Sequence, residues 1–210
     1  MNIDHLMWAC ADLDTGISQL ADLTGITAAY SGRHAGQGTR NALMALGDDC
    51  YLEIIAPDPE QSLEGTFGGR LAKLTNSGLL SWAMACRDLE SHRLKLSQSG
   101  YLTTNVQTTA RENPNGEQLT WQLLFVRSLR GAPFFIDWLN CVHPATTSPA
   151  GCELKNLTLK APEISELAAL VGEVGRLCLE GDDEIGLHAR IESPNGEVLL
   201  TPLVTSIQVF

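Results

Sequence analysis

Apolar and polar residues along the chain fall into short segments of two periods, one suited to buried strands and the other to amphipathic helices. Ile3 to Cys10 is an apolar run holding one aspartate and one histidine, short enough for a buried strand. Asp14-Thr15-Gly16 leads into Ile17 to Leu23, whose apolar spacing at i, i+3 and i+4 predicts a helix stopping near Gly25. Strands follow at Ala28 to Ser31, Asn41 to Leu46 and Cys50 to Ile55, with Gly47-Asp48-Asp49 as the turn between the last two.

The same order then returns. Leu79 to Cys86 is an opening strand, Leu89 to Gln98 a helix and Ser99-Gly100 its stop. Thr108 to Glu112 and Gln118 to Val126 flank Asn115-Gly116, a type I′ hairpin signal because both central residues need positive φ. Phe134 to Leu139 closes that unit. A third unit begins near Leu154, places a helix at Ile164 to Val171, turns at Asn195-Gly196 and ends on Ser206 to Phe210 as a closing strand.

Short echoes tie the units together. Ala9-Cys10-Ala11-Asp12-Leu13 returns as Ala85-Cys86-Arg87-Asp88-Leu89, and Ile17-Ser18-Gln19-Leu20-Ala21 as Ile164-Ser165-Glu166-Leu167-Ala168. Glu112-Asn113-Pro114-Asn115-Gly116 matches Glu192-Ser193-Pro194-Asn195-Gly196. The expected organisation is a βαβββ unit over 1–57, a Gly-, Ser- and Asn-rich linker over 58–78, a second unit over 79–145 and a third over 150–210. Units this small pack against one another, and the seam between them is where a cavity forms.

Bulk composition narrows the function classes. With 25 acidic against 14 basic residues the net charge is −11, and Lys and Arg never cluster, so the basic footprint of a nucleic-acid binder is missing. No apolar run approaches the roughly 18 residues of a membrane span, and the N-terminus has no secretory pattern, so a cytoplasmic protein is expected. Six scattered cysteines without a CxxC pair read as reduced, mostly buried residues.

Ionisable residues inside apolar strands are the informative ones, because an unpaired buried charge is costly. Glu53 is the lone charge in Cys50 to Ile55, and Asp137 holds a like place in Phe134 to Leu139, so the two acids are expected to face each other across the seam. The alternative is that each points to water from an edge strand. His5 sits mid-strand on the side of Ile3 and Met7, as a ligand or as a satisfied core residue; counting back equally from Asp88 lands on Ser81. His34 lies in a Gly-rich loop, suited to substrate contact or simply solvated, and His143 is in an extended segment before Pro144. Gly36-x-Gly38-Thr39 lacks the Gly-Lys pair of a P-loop and the third Rossmann glycine.

The Asp4-His5 start, the Ala-Cys-x-Asp-Leu continuation, the Tyr51-Leu52-Glu53 strand and the tandem units resemble the vicinal oxygen chelate superfamily. Residues Gly32 to Asn41, Phe134 to Trp138 and His143-Pro144 resemble its glyoxalase-like domain branch. The resemblance implies an α+β fold in which tandem βαβββ units form a cup-shaped open β-barrel with helices outside, here with a third βαβββ-like unit. It also implies a divalent metal, Zn, Mn or Mg, held by His5, Glu53 and Asp137, with Ser81 replacing a second histidine. Glu53 and Asp137 are then the catalytic candidates, and His34, Thr39, Asn41, Ser81 and His143 the substrate contacts. The implied activity is a metal-dependent lyase or isomerase on a small oxygen-rich substrate; the alternative is a metal-free protein that binds or sequesters a small molecule in the same cup. An odd number of units suggests a homodimer.

Overall fold

The computed structural model describes residues 1–112 and 118–204. The Asn115-Gly116 turn and the closing strand at Ser206 to Phe210 lie outside the described residues.

The first unit runs β1 (Ile3–Ala9), α1 (Leu13–Thr24), β2 (Ala29–His34), β3 (Thr39–Ala45) and β4 (Tyr51–Pro57). Helix α1 starts four residues before its apolar stripe because Asp12 caps it, accepting from the Thr15 N–H at 2.8 Å. It stops at Gly25, whose φ of 78° ends the helix without a Cβ clash. A five-residue helix, α2 (Phe67–Leu71), interrupts the segment that joins the units. The second unit is β5 (Gly78–Ala85), α3 (Leu89–Gln98), β6 (Gln107–Glu112), β7 (Gln118–Phe125) and β8 (Phe134–Asp137). The third is β9 (Glu153–Ala161), α4 (Ile164–Val171), β10 (Leu177–Gly181), β11 (Gly186–Ser193) and β12 (Gly196–Leu200).

The architecture is α+β. Eight strands close into a barrel in the order β1-β4-β3-β2-β6-β7-β8-β5. Each opening strand pairs in parallel with the last strand of its own unit, β1 with β4 and β5 with β8, while β1 and β5 run antiparallel along the seam. At the opposite seam, among the described residues, Arg33 pairs with Glu112.

Alternation along the strands divides the apolar residues between two faces. Leu6, Trp8, Leu52, Ile54, Met84 and Phe135 pack in the outer core that contains helix residues Leu13, Leu20, Leu89 and Leu96. Met7, Ala9, Ile55, Ala83, Trp121, Phe134 and Ile136 form the inner cluster, and Leu71 and Leu74 from the joining segment enter it.

One break in the alternation matters. Along β1 against β5, Ile3 pairs with Met84 and His5 with Ala83, so two residues of β1 oppose one of β5. Asp4 is the extra residue of this bulge. Ile3 consequently belongs to the outer core, not to the side of His5 and Met7 that strict alternation predicts.

The third unit keeps the βαβββ order but winds differently. Its opening strand β9 pairs in parallel with β10, directly after the helix, and its sheet order is β10-β9-β11-β12. It is seated on the barrel, with the Leu154 N–H donating to the Leu46 carbonyl at 3.1 Å and the Ala45 N–H to Pro149 at 2.8 Å. Leu154, Leu157 and Leu159 share the outer core. The third unit therefore has an internal partner, which removes the premise behind the expected homodimer. No helix among the described residues is long and apolar enough to cross a membrane.

Candidate functional site in the barrel lumen

The bulge on β1 delivers a histidine and an aspartate to the same side. Asp4 Oδ1 lies 2.7 Å from His5 Nδ1. Asp4 is fully buried and also accepts from Trp138 Nε1 at 3.0 Å, while His143 Nε2 lies 3.2 Å away. His143 Nδ1 accepts from the Ala145 N–H at 3.3 Å, which leaves the proton of a neutral imidazole on Nε2, pointed at Asp4. Burial pushes the Asp4 carboxyl up, but the hydrogen bonds with His143 and His5 outweigh it and hold the group below its ordinary value.

An ionised carboxylate only accepts, so it assigns the His5 proton to Nδ1 and turns the bare Nε2 into the lumen. There it lies 3.9 Å from Glu53 Oε2. The imidazole is stacked on Tyr51, with centroids 4.6 Å apart, and edge-on to Phe134. Burial drives the Tyr51 phenol well above its ordinary value, with the Asp4 and Glu53 charges adding to the effect.

Glu53 comes from β4, where it pairs with Met7. Its Oε1 accepts from Asn41 Nδ2 at 2.7 Å, and His34 Nε2 stands 3.9 Å from the same oxygen. His34 Nδ1 is 3.0 Å from Thr39 Oγ1, and the ring meets Trp121 edge-on. Burial lowers the His34 pKa, the Glu53 charge opposing, so the ring is neutral at pH 7. Some contact with solvent remains: the Glu53 side chain is 8% exposed and that of His34 13%. Asn41 also accepts from Arg111 Nη1 at 3.4 Å, and the Arg111 guanidinium lies over Trp121, 6.0 Å from its centroid.

Of the residues expected at the site, the barrel brings together His5, Glu53, His34, Thr39 and Asn41, and links His143 through Asp4. Ser81 is half-buried on β5 beside Met7, not across from His5. Asp137 is elsewhere. Its Oδ2 accepts from the Asp88 N–H and its Oδ1 from the Leu139 N–H, both at 2.9 Å, so it ties the end of β8 to the start of α3. Register explains the difference. Cys10 donates to Ile55 in the first unit as Cys86 does to Ile136 in the second, and Met7 pairs with Glu53 as Ala83 pairs with Phe134. Phe134 thus stands where Glu53 stands; Asp137 lies three residues farther on, an odd number that puts it on the other face.

Sequence reasoning assigned no site role to Asp4, Arg111, Trp121 or Trp138. Asp4 had a signal, a second charge in an apolar strand, whereas Arg111 sat in a polar strand where nothing marked it as buried.

This donor set does not fit the divalent metal that the resemblance implies. The second unit supplies Phe134 at the counterpart of Glu53, and Asp137 is turned away. With Glu53 Oε1 held by Asn41 and His5 Nδ1 by Asp4, the expected set is reduced to two donors, His5 Nε2 and Glu53 Oε2. Among the described residues no three His, Cys, Asp or Glu side chains are grouped so that they could hold an ion.

A family model described as a glyoxalase-like domain matches residues 3–175. Among solved structures, a hypothetical protein from Staphylococcus aureus is similar over 98% of this chain and 87% of its own, at 16% identity and a TM-score of 0.64. A hypothetical protein from Bacillus halodurans is similar over 64% of this chain and 90% of its own, at 15% identity and a TM-score of 0.48. Methylmalonyl-CoA epimerase from Mycobacterium tuberculosis is similar over 64% and 84%, at 24% identity and a TM-score of 0.46. No curated protein matches the chain.

Proposed function

Starting from the premise that the chain belongs to the glyoxalase-like domain family, we propose that it is an isomerase or lyase that moves a proton on a small oxygen-rich substrate held in the barrel lumen. The observation that carries this reading is Glu53, a nearly buried carboxylate with an imidazole Nε2 3.9 Å from each of its oxygens.

Glu53 Oε2 takes a proton from a carbon beside a carbonyl, and the bonding pair moves onto the carbonyl oxygen as an enolate. The same carboxyl returns the proton to a neighbouring atom, or a leaving group departs as the pair collapses. Asn41 holds Oε1 so that Oε2 is the working oxygen. His5, fixed by Asp4 and sandwiched against Tyr51, sets the far wall and accepts a substrate hydroxyl. A preorganised base in a nearly dry lumen suits general base catalysis, which contributes about 10²–10⁴-fold.

A second reading is binding without turnover. It draws on the apolar half of the lumen, where Phe134, Ile136, Trp121 and Phe125 supply no acid or base. Proton NMR in deuterated water separates the two. Small 2-oxo and 2-hydroxy carbonyl compounds are incubated with the protein, and loss of their C–H signals is followed. Exchange that Glu53→Gln abolishes supports the enzyme; exchange that Glu53→Gln leaves intact refutes the role of Glu53; saturable binding with no exchange favours the second reading.

A further inference from the structure

Arg111 is a buried cation with no carboxylate in contact among the described residues, and the Glu53 charge reaches it only across the Asn41 amide. Its residue is 5% exposed, and among the described residues no carboxylate lies within salt-bridge distance of it. Its contacts are weak for a buried guanidinium: one long bond from Nη1 to Asn41 Oδ1 at 3.4 Å and the face of Trp121 at 6.0 Å. Its Nε is buried and has no hydrogen-bond partner. Leaving such a group unpaired costs several kcal/mol, so a fold that keeps it in place uses it for something that arrives later.

The residue points into the site. On β6 it pairs with Leu119 of β7, two residues along from Thr109 with Trp121 and so on the same face, and Leu119 and Trp121 both pack in the inner cluster. The Asn41 side chain joins it to Glu53, one end of the amide on each. A flat, two-pronged cation matches a carboxylate in shape, and its single charge neutralises one negative charge. A doubly charged phosphate would leave surplus negative charge beside Glu53.

We infer that Arg111 is the receptor for a substrate carboxylate, and that the lumen takes a small 2-oxo or 2-hydroxy acid. The inference rests on the reading of the lumen as the substrate site, and it names the substrate class. With the carboxylate on Arg111, Glu53 across the Asn41 amide is the base for the C2–H of a 2-hydroxy acid or the C3–H of a 2-oxo acid. The slight exposure of Glu53 and His34 restricts entry to small molecules.

The experiment reads binding, not turnover, so a failure of proton transfer at Glu53 leaves its result standing. Acetate, glycolate and pyruvate are titrated into the full-length protein at constant ionic strength, followed by tryptophan fluorescence and thermal shift, beside the neutral acetamide and methyl pyruvate. Expected is saturable binding of at least one carboxylate, at least tenfold weaker binding of the neutral compounds, at least tenfold loss in Arg111→Met and partial recovery in Arg111→Lys. Arg111→Met is also expected to melt at or above the wild-type temperature, because it removes a buried charge that touches no carboxylate and keeps the packing on Trp121. A structural arginine gives the opposite result, a lower melting temperature and unchanged ligand response. The inference is overturned if no carboxylate binds the wild type, if neutral compounds bind as well, or if Arg111→Met binds like the wild type.

Discussion

Replacing Asp4 by alanine tests the part of the site on which His5 depends. The carboxylate is fully buried and faces three N–H groups, from His5, Trp138 and His143, at 2.7, 3.0 and 3.2 Å. Removing it leaves these donors in a dry space, and breaking a buried charge network of this kind costs about 3–5 kcal/mol. In a domain of this size each kcal/mol moves the melting temperature by about 2–4 °C, so Asp4→Ala is expected to melt about 6–20 °C lower. Asp4→Asn should lose less, since its amide still accepts from Trp138 and can meet a re-protonated His5. The pH dependence has a definite sign. The folded Asp4 pKa lies below its ordinary 3.8, so between the two values the unfolded chain binds more protons. The stabilisation is therefore complete above pH 3.8 and is lost as pH falls through the folded value. Thermal unfolding by circular dichroism from pH 8 to pH 4 should show a constant gap between wild type and Asp4→Ala. A gap under about 2 °C at pH 7, on the same scale of 2–4 °C per kcal/mol, would refute the network as a stabilising unit.

Other outcomes follow from the same geometry. Gly68→Ala places a Cβ 1.7 Å from the Gly38 carbonyl oxygen, a backbone clash that should cost about 2 kcal/mol or more in urea unfolding; a change under about 0.5 kcal/mol would mean that the segment moves freely. The His34 imidazole, its pKa lowered by burial, should titrate below its ordinary 6.5 by NMR. The unfolded chain then binds more protons between the two values, so unfolding free energy falls as pH drops from 6.5 toward the folded value, and His34→Gln should show a shallower decline. Burial pushes the Cys10 and Cys50 thiols up to about 12, so neither should react with a thiol reagent at pH 8 in the native state, while the partly exposed Cys141 and Cys178 do. Rapid labelling of Cys10 or Cys50 would contradict the packing around β1 and β4.

The helices and strands were legible where a local rule decides them. Helix α3 and helix α4 occupy the spans that repetition of the first unit predicts, whereas β11 joins β12 through Pro194-Asn195, one residue before the expected Asn195-Gly196 turn, with Gly196 already paired to Ser193. The His34 segment differs, because β2 continues past Ser31 to His34 through its pairing with β3, a contact that no local window contains. Glu53 and His5 were legible as charges in apolar strands. Arg111 was not, because its burial comes from Trp121 and Asn41 on other strands.

By itself the sequence determined the order of elements, their repetition and the apolar faces that drive them together, since these depend on side-chain period and turn chemistry within a few residues. Tertiary structure alone decided register. The bulge at Asp4 turned two consecutive residues inward, and the β5–β8 pairing put Phe134 opposite Ala83, leaving Asp137 on the other face. A shift of one residue exchanges the faces of a strand, and that shift is set by hydrogen bonds between segments far apart in the chain.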